Sequence, residues 1–260
     1  MSFKFRNYQE KADNDIKEFI YNSSHIKGVL VSPVATGKSL YPSIIADNTK
    51  GNCLIVQPNK ELLEQNLEKA RNFGLDPSVY SASMGMKNIS KLTYATPMSI
   101  AKYPDDFKHF DTVVIDECHI SMTNGLTNGK VSKKGKFNKF LEQIKPDKII
   151  GLTATPIQLV SQGFAGSELK MVNRSMRSFW YKSEIFHITQ IPDIKEDYWA
   201  QLDIRTYDID NFALELNSNG SEFKEQSIIK QYEDAGIEYK ILEKYEELLL
   251  DGVDNILTFV

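Results

Sequence analysis

The chain has 260 residues, of which 41% are hydrophobic and 25% are charged, as in ordinary globular proteins with a buried core. A formal net charge of −4 argues against polyanion binding over the whole surface, although a local basic track is compatible with it. No apolar run approaches the roughly 20 residues that cross a bilayer, so we expect no membrane partner. Two cysteines, Cys53 and Cys118, do not make a disulfide framework, and we therefore expect a reducing cytoplasm.

The N-terminal stretch of residues 5–10 leads into a predicted amphipathic helix with Ala12 and Ile16 on its apolar side. Gln9 stands near the start of this helix. A glutamine amide can donate to and accept from an adenine edge at the same time, which makes Gln9 a candidate adenine contact. The alternative is a solvent-facing helix glutamine, and the position of Gln9 alone favours that alternative.

A candidate phosphate-binding loop occupies residues 32–39, which read Ser-Pro-Val-Ala-Thr-Gly-Lys-Ser. It follows an apolar run and precedes a predicted helix start at residues 40–46, which is the context that such a loop requires. Its backbone N–H groups would cradle phosphate oxygens at a helix N-terminus. Ser32 replaces the usual first glycine, and a chance strand-to-helix turn is the alternative interpretation. The nucleotide-binding candidates in the loop are Val34, Ala35, Thr36, Gly37, Lys38 and Ser39.

Strands and helices then alternate along the chain. We predict strands at residues 52–58, 78–81 and 92–96, and helices at residues 59–73 and from 97 onwards. Such alternation predicts an α/β fold with a parallel sheet and helices on both faces.

A pair of acidic residues closes the next predicted strand, in the run Thr-Val-Val-Ile-Asp-Glu-Cys-His at residues 112–119. The pattern places Asp116 and Glu117 at the carboxyl edge of the sheet, where ligands of open α/β sheets bind. Asp116 there can hold Mg²⁺, and Glu117 can take a proton from an attacking water. A turn or a helix cap is the alternative for such a pair in isolation, but the phosphate loop in the same chain favours a site.

Residues 121–136 are polar, glycine-rich and basic. They could touch nucleic-acid phosphates, but a solvated charge run is the favoured interpretation. A predicted helix at residues 137–144 precedes a strand over residues 148–156. The hydroxyls of Thr153 and Thr155 at the end of that strand are placed to couple one bound ligand to another.

The regular pattern loosens beyond residue 156. We predict a connecting region over residues 157–254, with a strand near 202–209, a turn at 217–221 and a helix at 239–250. The apolar run at residues 255–260 is expected to begin a second, truncated motor domain. The predicted boundaries are therefore 1–156 for the nucleotide-binding domain, 157–254 for the connecting region and 255–260 for the start of the next domain.

The motifs occur in a characteristic order: Arg-Asn-Tyr-Gln at residues 6–9, the loop at 32–39, Val-Gln-Pro at 56–58, Ala-Thr-Pro at 95–97, Asp-Glu-Cys-His at 116–119 and Leu-Thr-Ala-Thr-Pro at 152–156. This ordered set resembles the first motor domain of a superfamily two helicase of the Asp-Glu-x-His class. The resemblance covers about the first 156 residues. It implies a RecA-like P-loop domain, closest in character to the DNA helicases and translocases of phages and bacteria, and hence a cytoplasmic location in such cells.

The resemblance also implies roles for single residues. Arg6 and Gln9 would contact adenine, Lys38 and Ser39 would hold phosphate and Mg²⁺, and Asp116 would complete the Mg²⁺ site. Glu117 would polarise the attacking water, while His119, Thr153 and Thr155 would couple the nucleotide to the nucleic acid. The residues that fall where this family touches the nucleic-acid backbone are Pro58, Asn59, Thr96 and Pro97. Ser32 and Ala35 depart from the family pattern, because glycine is more usual at both positions.

The leading hypothesis is thus the ATP-binding half of a motor that uses ATP and Mg²⁺. We expect it to act on nucleic acid, with DNA in single-stranded or branched form as the favoured substrate and a monomer as the favoured state. One alternative is a duplex-DNA translocase subunit of a restriction or repair complex. Another is a nucleotide-gated binding module with weak hydrolysis, although Lys38, Asp116 and Glu117 are intact. A small-molecule kinase would need an acceptor-binding lid, which the sequence does not indicate.

Overall fold

The computed structural model describes residues 4–120, 126–127, 130–131, 135–161, 167–176, 178–199, 214–215 and 223–252. The strands are β1 (Lys27–Val31), β2 (Cys53–Val56), β3 (Ser78–Ser81), β4 (Met86–Lys87), β5 (Leu92–Ala95), β6 (Thr112–Ile115), β7 (Leu126–Thr127), β8 (Lys130–Val131), β9 (Lys148–Thr153), β10 (Ile157–Ser161), β11 (Ser167–Met171) and β12 (Glu184–Ile188). The helices are α1 (Asn7–Tyr21), α2 (Tyr41–Asn48), α3 (Lys60–Asn72), α4 (Pro97–Ile100), α5 (Lys136–Ile144), α6 (Pro192–Tyr198), α7 (Glu225–Asp234) and α8 (Ile237–Leu250). Short 3₁₀ turns cover Lys38–Leu40, Ala82–Met84 and Pro104–Phe107.

One sheet of eight strands organises the first part of the molecule, in the order β12-β1-β9-β6-β2-β5-β3-β4. Within this sheet, the described pairings are parallel except for the pair of β3 and β4, which is antiparallel. β1 and β2 are therefore separated by two strands that come later in the chain. The predicted α/β class with a mostly parallel sheet is confirmed.

Side chains alternate along the strands, so each face of the sheet carries its own apolar side chains, and helices pack against both faces. On one face, Ile55, Val114 and Ile150 pack with the apolar sides of α1, α2 and α3. On the other face, Val56 and Ile115 pack with α5 and with the aromatic rings of the Pro104–Phe107 turn and its surroundings. Strands that are buried on both sides read as continuous apolar runs, which is why the central strands were predictable.

The compact unit of the sheet extends past the predicted boundary at residue 156. The described residues up to 158 and from 169 to 199 belong to this unit, and β12 pairs in parallel with β1 at the edge of the sheet. Trp180 is fully buried, and its indole Nε1 donates to the Cys118 carbonyl at 3.0 Å. The ring lies over Gly151, where a Cβ would come within 2.8 Å of Trp180 and 2.7 Å of the Cys118 sulfur. The absence of a side chain at residue 151 is what lets Trp180 close this face.

A second unit comprises residues 159–168 and the chain from residue 202. Its described part holds α7 and α8, which are separated by a turn at Gly236 with a left-handed φ of 61°. The helix predicted at 239–250 begins two residues earlier, at Ile237. The predictions for residues 202–209, 217–221 and 255–260 lie outside the described residues, as does most of the basic stretch at 121–136. Among the helices that the structure describes, none has the length and apolar character needed to cross a membrane.

We predict that Gly151→Ala lowers the free energy of unfolding by about 1–3 kcal/mol, because the new methyl group overpacks the contact between Trp180 and Cys118. Urea unfolding followed by Trp fluorescence measures this change. Cys118→Ala in the same chain removes the nearest sulfur, so the double variant should lose less stability than the sum of the two single changes. An unfolding midpoint of Gly151→Ala equal to that of the parent would contradict the packing described here.

Candidate nucleotide and nucleic-acid site

The loop after β1 forms a tight turn at the carboxyl edge of the sheet. Ala35 and Gly37 both adopt left-handed backbone conformations, with φ of 62° and 79°. Gly37 adopts this conformation without strain, whereas Ala35 carries a Cβ that makes it costly. The 3₁₀ turn begins at Lys38 and leads into α2. The exposed Val34 marks the tip of the loop, so the predicted nucleotide-binding segment is a single compact element.

Ser32 is completely buried beneath this loop, at the position where the family more often has glycine. Its hydroxyl lies 2.7 Å from the Thr36 hydroxyl and 3.1 Å from the Thr189 hydroxyl. The Thr36 hydroxyl in turn donates to the Pro33 carbonyl at 2.6 Å. The serine side chain therefore points under the loop and braces it from below. Thr189 was not predicted, because it follows the unpredicted strand β12.

The start of α1 is tied to the same loop. The Gln9 side chain donates through Nε2 to the Thr36 carbonyl at 3.2 Å and accepts the Arg6 backbone N–H at 3.0 Å. The Tyr8 hydroxyl also donates to the Thr36 carbonyl, at 3.1 Å, and accepts from the Arg6 guanidinium at 2.9 Å. The Arg6 guanidinium lies 4.4 Å above the ring of Tyr198. Arg6 and Gln9 are thus held next to the loop, and the adenine contact proposed for them stays a prediction.

Lys38 reaches across the sheet edge to the two acidic residues after β6. Its ammonium forms an ion pair with the Glu117 carboxylate and lies 3.4 Å from Asp116 Oδ1. Asp116 is further held by the Glu117 backbone N–H at 2.9 Å and by the Asn66 amide at 3.3 Å. Burial raises the pKa of the Asp116 carboxyl, and the Lys38 ammonium partly offsets that effect. Two carboxylates share one ammonium, so the cluster keeps an excess negative charge that a cation can neutralise.

Glu117 has a left-handed backbone with φ of 47°, which is unusual for a residue with a side chain. Such conformations cost free energy and concentrate at functional sites, where the surrounding structure enforces them. Here the turn aims the Glu117 carboxylate at Lys38 and keeps it partly exposed. Among the described residues Ala35, Lys145 and Lys182 also have a positive φ, so this conformation supports a functional turn only together with the ion pair to Lys38.

Ser39 lies at the beginning of the 3₁₀ turn, and its hydroxyl accepts a hydrogen bond of 2.7 Å from the Lys69 ammonium on α3. The hydroxyl predicted to hold a metal is thus already in contact with a cation. Lys69 was not predicted, since an exposed lysine in the last turn of a helix has no distinctive pattern.

The residues predicted to couple the sites are also brought together. His119 Nδ1 lies 2.8 Å from the Thr153 hydroxyl and 3.4 Å from Glu117 Oε2. The Thr155 backbone N–H donates to the same Thr153 hydroxyl at 3.0 Å. The Thr153 carbonyl accepts the Ser32 N–H at 3.0 Å, which joins β9 to the base of the loop. His119 therefore stands between the acidic pair and the end of β9.

The four residues predicted to touch nucleic acid line one groove of about 610 Å³, next to the carboxyl ends of β2, β3 and β5. The Asn59 side chain caps α3 by accepting the Leu62 N–H at 2.9 Å, and the Thr96 hydroxyl lies 2.7 Å from Ser99 Oγ. These two side chains hold the shape of the groove, and their contact with nucleic acid stays a prediction. The lining residues are Pro58, Asn59, Lys60, Ala82, Ser83, Thr96, Pro97, Met98, Ser99, Lys136 and Phe137.

The donor set fits the ATP and Mg²⁺ that the resemblance implies. The described residues contain no group of three or more His, Cys, Asp and Glu side chains that would hold a metal ion by themselves. Mg²⁺ is commonly held by one or two protein oxygens together with phosphates and waters, and Ser39 and Asp116 can provide those oxygens. The Asp116 and Glu117 carboxylates bring two negative charges to this place, with the ammonium groups of Lys38 and Lys69 beside them.

Residues 2–158 match the family model described as Type III restriction enzyme, res subunit. The match covers more than half of the chain, and the chain belongs to this family. The sequence-based assignment to the first RecA-like motor domain of superfamily two helicases is confirmed by this membership and by the fold.

Three known proteins illustrate the likeness. The genome polyprotein of soybean mosaic virus (strain N) is 24% identical over 163 residues, which cover 59% of this chain and 5% of the polyprotein. The structure of the ATP-dependent Type ISP restriction-modification enzyme LlaBIII bound to DNA is 17% identical with a TM-score of 0.52, over 74% of this chain and 15% of that one. The UvsW helicase from bacteriophage T4 is 19% identical with a TM-score of 0.45, over 60% of this chain and 57% of UvsW. This chain spans only part of each of them.

We predict that Asp116→Asn stabilises the nucleotide-free protein by about 1 kcal/mol near neutral pH, because it removes a buried negative charge. The raised pKa means that the ionised Asp116 destabilises the fold above its folded pKa, and that this penalty fades as pH falls towards the ordinary range of an Asp. The stabilisation by Asp116→Asn should therefore shrink on acidification. Urea midpoints across pH test this, with the exposed Asp105→Asn as control. A stabilisation by Asp116→Asn that grows as the pH falls would contradict the raised pKa of Asp116.

Proposed function

We propose that this member of the family is the ATP-binding half of a nucleic-acid motor and that the nucleic acid is DNA. The ion-pair cluster of Lys38, Asp116 and Glu117 carries the proposal. It joins a phosphate-type loop to an acidic pair at the carboxyl edge of the sheet, and one of its members has a strained backbone. That combination positions charge for phosphoryl transfer and has no evident value for stability.

In this proposal Lys38 changes partners when nucleotide binds. Its ammonium is paired with Glu117 in the nucleotide-free protein, and a polyphosphate offers it a stronger charge-assisted interaction. Glu117 is then released and can take a proton from an attacking water. Ser39 and Asp116 would hold Mg²⁺, which when bound neutralises charge on the transferring phosphoryl group. The pairing of Lys38 with Glu117 thereby keeps the base inactive until nucleotide arrives.

His119 and Thr153 would carry the state of the nucleotide towards the nucleic acid. His119 touches both Glu117 and Thr153, so a change in Glu117 alters the contacts at the end of β9. The groove beside β2 and β5 offers Lys60 and Lys136 for phosphates, with apolar surface from Pro97 and Phe137. LlaBIII, which shares the fold, is described as bound to DNA, and this supports DNA as the partner. Duplex translocation without strand separation uses the same residues, and a strand-separation assay on the complete protein distinguishes the two.

We expect Lys38→Ala to weaken binding of Mg·ATP by about tenfold or more, because it removes the charge that faces the phosphates. Glu117→Gln should bind at least as tightly as the parent, since it frees Lys38, while turnover falls by about 10²-fold or more. Isothermal titration with a slowly hydrolysed ATP analogue and a steady-state ATPase assay separate the two effects. Lys17→Ala, which removes an exposed lysine paired with Asp13, is the matched control. Unchanged affinity in Lys38→Ala would refute the assignment of Lys38.

We also expect this chain by itself to hydrolyse ATP slowly and with little stimulation by DNA. Within the described residues no arginine contacts Lys38, Asp116 or Glu117. An arginine that stabilises the transition state can contribute about 10³–10⁵ in rate. An ATPase assay with and without single-stranded and branched DNA measures this. Strong stimulation by DNA would show that the chain already holds such an arginine or obtains one by self-association.

A further inference from the structure

A continuous series of hydrogen bonds runs from the surface of α1 to the interior of the phosphate loop. We name its six members the polar chain. Its links, in order, are Asp15 Oδ2 to His187 Nδ1 at 2.7 Å, His187 Nε2 to Thr189 Oγ1 at 3.0 Å, Thr189 Oγ1 to Ser32 Oγ at 3.1 Å, Ser32 Oγ to Thr36 Oγ1 at 2.7 Å, and Thr36 Oγ1 to the Pro33 carbonyl at 2.6 Å.

The middle of the polar chain is closed to solvent. The His187 side chain is 5% exposed, whereas Asp15 at the outer end is 48% exposed. Ser32, Thr36 and Thr189 are all buried. A buried donor or acceptor that loses its partner inside this series cannot readily turn to water, so each missing link costs free energy.

The number of available protons decides the charge of His187. Both ends of the polar chain, the Asp15 carboxylate and the Pro33 carbonyl, can only accept. Five links therefore need five protons. The three hydroxyls supply one each, and a neutral imidazole supplies one more, which leaves one link without a proton. An imidazolium supplies two protons and completes all five links.

We infer that His187 is a positioning residue for the phosphate loop and that its imidazolium form is the one that completes the polar chain. The inference rests on the proposed role of the loop in nucleotide binding. When His187 is neutral, its remaining proton is best used towards the Asp15 carboxylate, because that hydrogen bond is charge-assisted. The Thr189 hydroxyl then has to turn towards Nε2, and one of the three links between Thr189 and the Pro33 carbonyl stays without a proton.

The charged and titratable groups near His187 lie on α1, on α2 and on β12 itself. From α1 it faces Asp15, while the preceding Lys11 pairs with Asp193 of α6 at 2.9 Å. From α2, the Tyr41 hydroxyl lies beside Ser32 and Thr189, and burial raises the pKa of this phenol, so it stays neutral; its proton serves a contact of its own and none of the five links.

On β12 itself, Glu184 accepts from the Ser23 hydroxyl at 2.6 Å and lies 3.4 Å from His25. β1 contributes the apolar Leu30 opposite His187. Asp15 is thus the carboxylate that the described contacts place on the imidazole.

The decisive variant is Asp15→Asn, because an amide can both donate and accept. With Asn at this position the amide N–H can donate to Nδ1 of a neutral His187, whose Nε2–H then donates to Thr189, and all five links are complete without a charge. Protonation of His187 no longer changes the count. Thr189→Val is the opposite case. Valine has nearly the shape of threonine but no hydroxyl, so this variant interrupts the polar chain at every pH.

The experiment measures two quantities between about pH 5 and 8, the range in which histidine changes charge. Imidazole ¹⁵N NMR reports the protonation of His187 in the nucleotide-free chain, assigned with His187→Gln. Titration calorimetry reports the affinity for Mg·ADP. As the pH rises, the affinity of the parent for Mg·ADP should fall by about tenfold, as expected for the loss of one buried hydrogen bond. The midpoint of this fall should coincide with the midpoint at which His187 loses its proton. Asp15→Asn should keep the acid-form affinity throughout, and Thr189→Val should bind weakly throughout.

Asp193→Asn removes a carboxylate from the same surface without touching the polar chain, and it should keep the pH profile of the parent. A parent-like pH profile in Asp15→Asn would overturn the inference, as would deprotonation of His187 without any change in affinity. If no variant binds Mg·ADP at any pH, the proposed function fails instead. The amide NMR signals of residues 34–37 then decide the inference alone: they should follow the titration of His187 in the parent and not in Asp15→Asn.

Discussion

The strand register at the centre of the sheet is the constraint on which the site depends. β9 lies between β1 and β6, with Val31 opposite Thr153 and Ile115 opposite Gly151. Three loops that are far apart in sequence therefore leave the sheet side by side. Lys38 meets the acidic pair, and His119 meets Thr153, because these strands end at nearly the same level. A shift of one residue in this register would reverse the faces of a strand and separate the charges.

The phosphate loop owes its shape to contacts from below and from the side. Its first glycine is replaced by Ser32, whose hydroxyl is used in the polar chain, and the Thr36 carbonyl receives hydrogen bonds from Tyr8 and Gln9. Two elements distant in sequence, α1 and β12, thus set the conformation of a short loop. This support offsets the strain at Ala35, where glycine would be the easier choice.

The site contains features that lower the stability of the nucleotide-free protein. Asp116 is buried at a cost that Lys38 only partly offsets, and Glu117 is held in a strained turn. Both features destabilise the nucleotide-free fold, and in the proposed function a bound cation would relieve the electrostatic one. In the proposed function, the ammonium that pairs with Glu117 in the free protein would also bind phosphate, so ligand binding and release of the base would be one event.

The sequence by itself determined the α/β class, the central strands and the local motifs, because buried strands and glycine-containing loops have short-range patterns. It placed Lys38, Asp116, Glu117 and His119 in one site, since the carboxyl ends of parallel strands share an edge. Only the tertiary structure decided that residues after 169 complete the sheet through β12. That strand is short, lies at the edge and is only partly buried, so it lacks the continuous apolar signal of a central strand.

The partners of the loop were equally beyond the sequence. Tyr8, Lys69, Thr189 and His187 have ordinary local contexts, and their roles arise from contacts across large sequence separations, such as the separation of 157 positions between Ser32 and Thr189. Hydrogen-bond partners of this kind depend on packing at the level of single atoms, which residue type and periodicity do not encode. The sequence thus determined the motifs through local chemistry, whereas the hydrogen bonds that hold the phosphate loop depend on the packing of α1 and β12 against it.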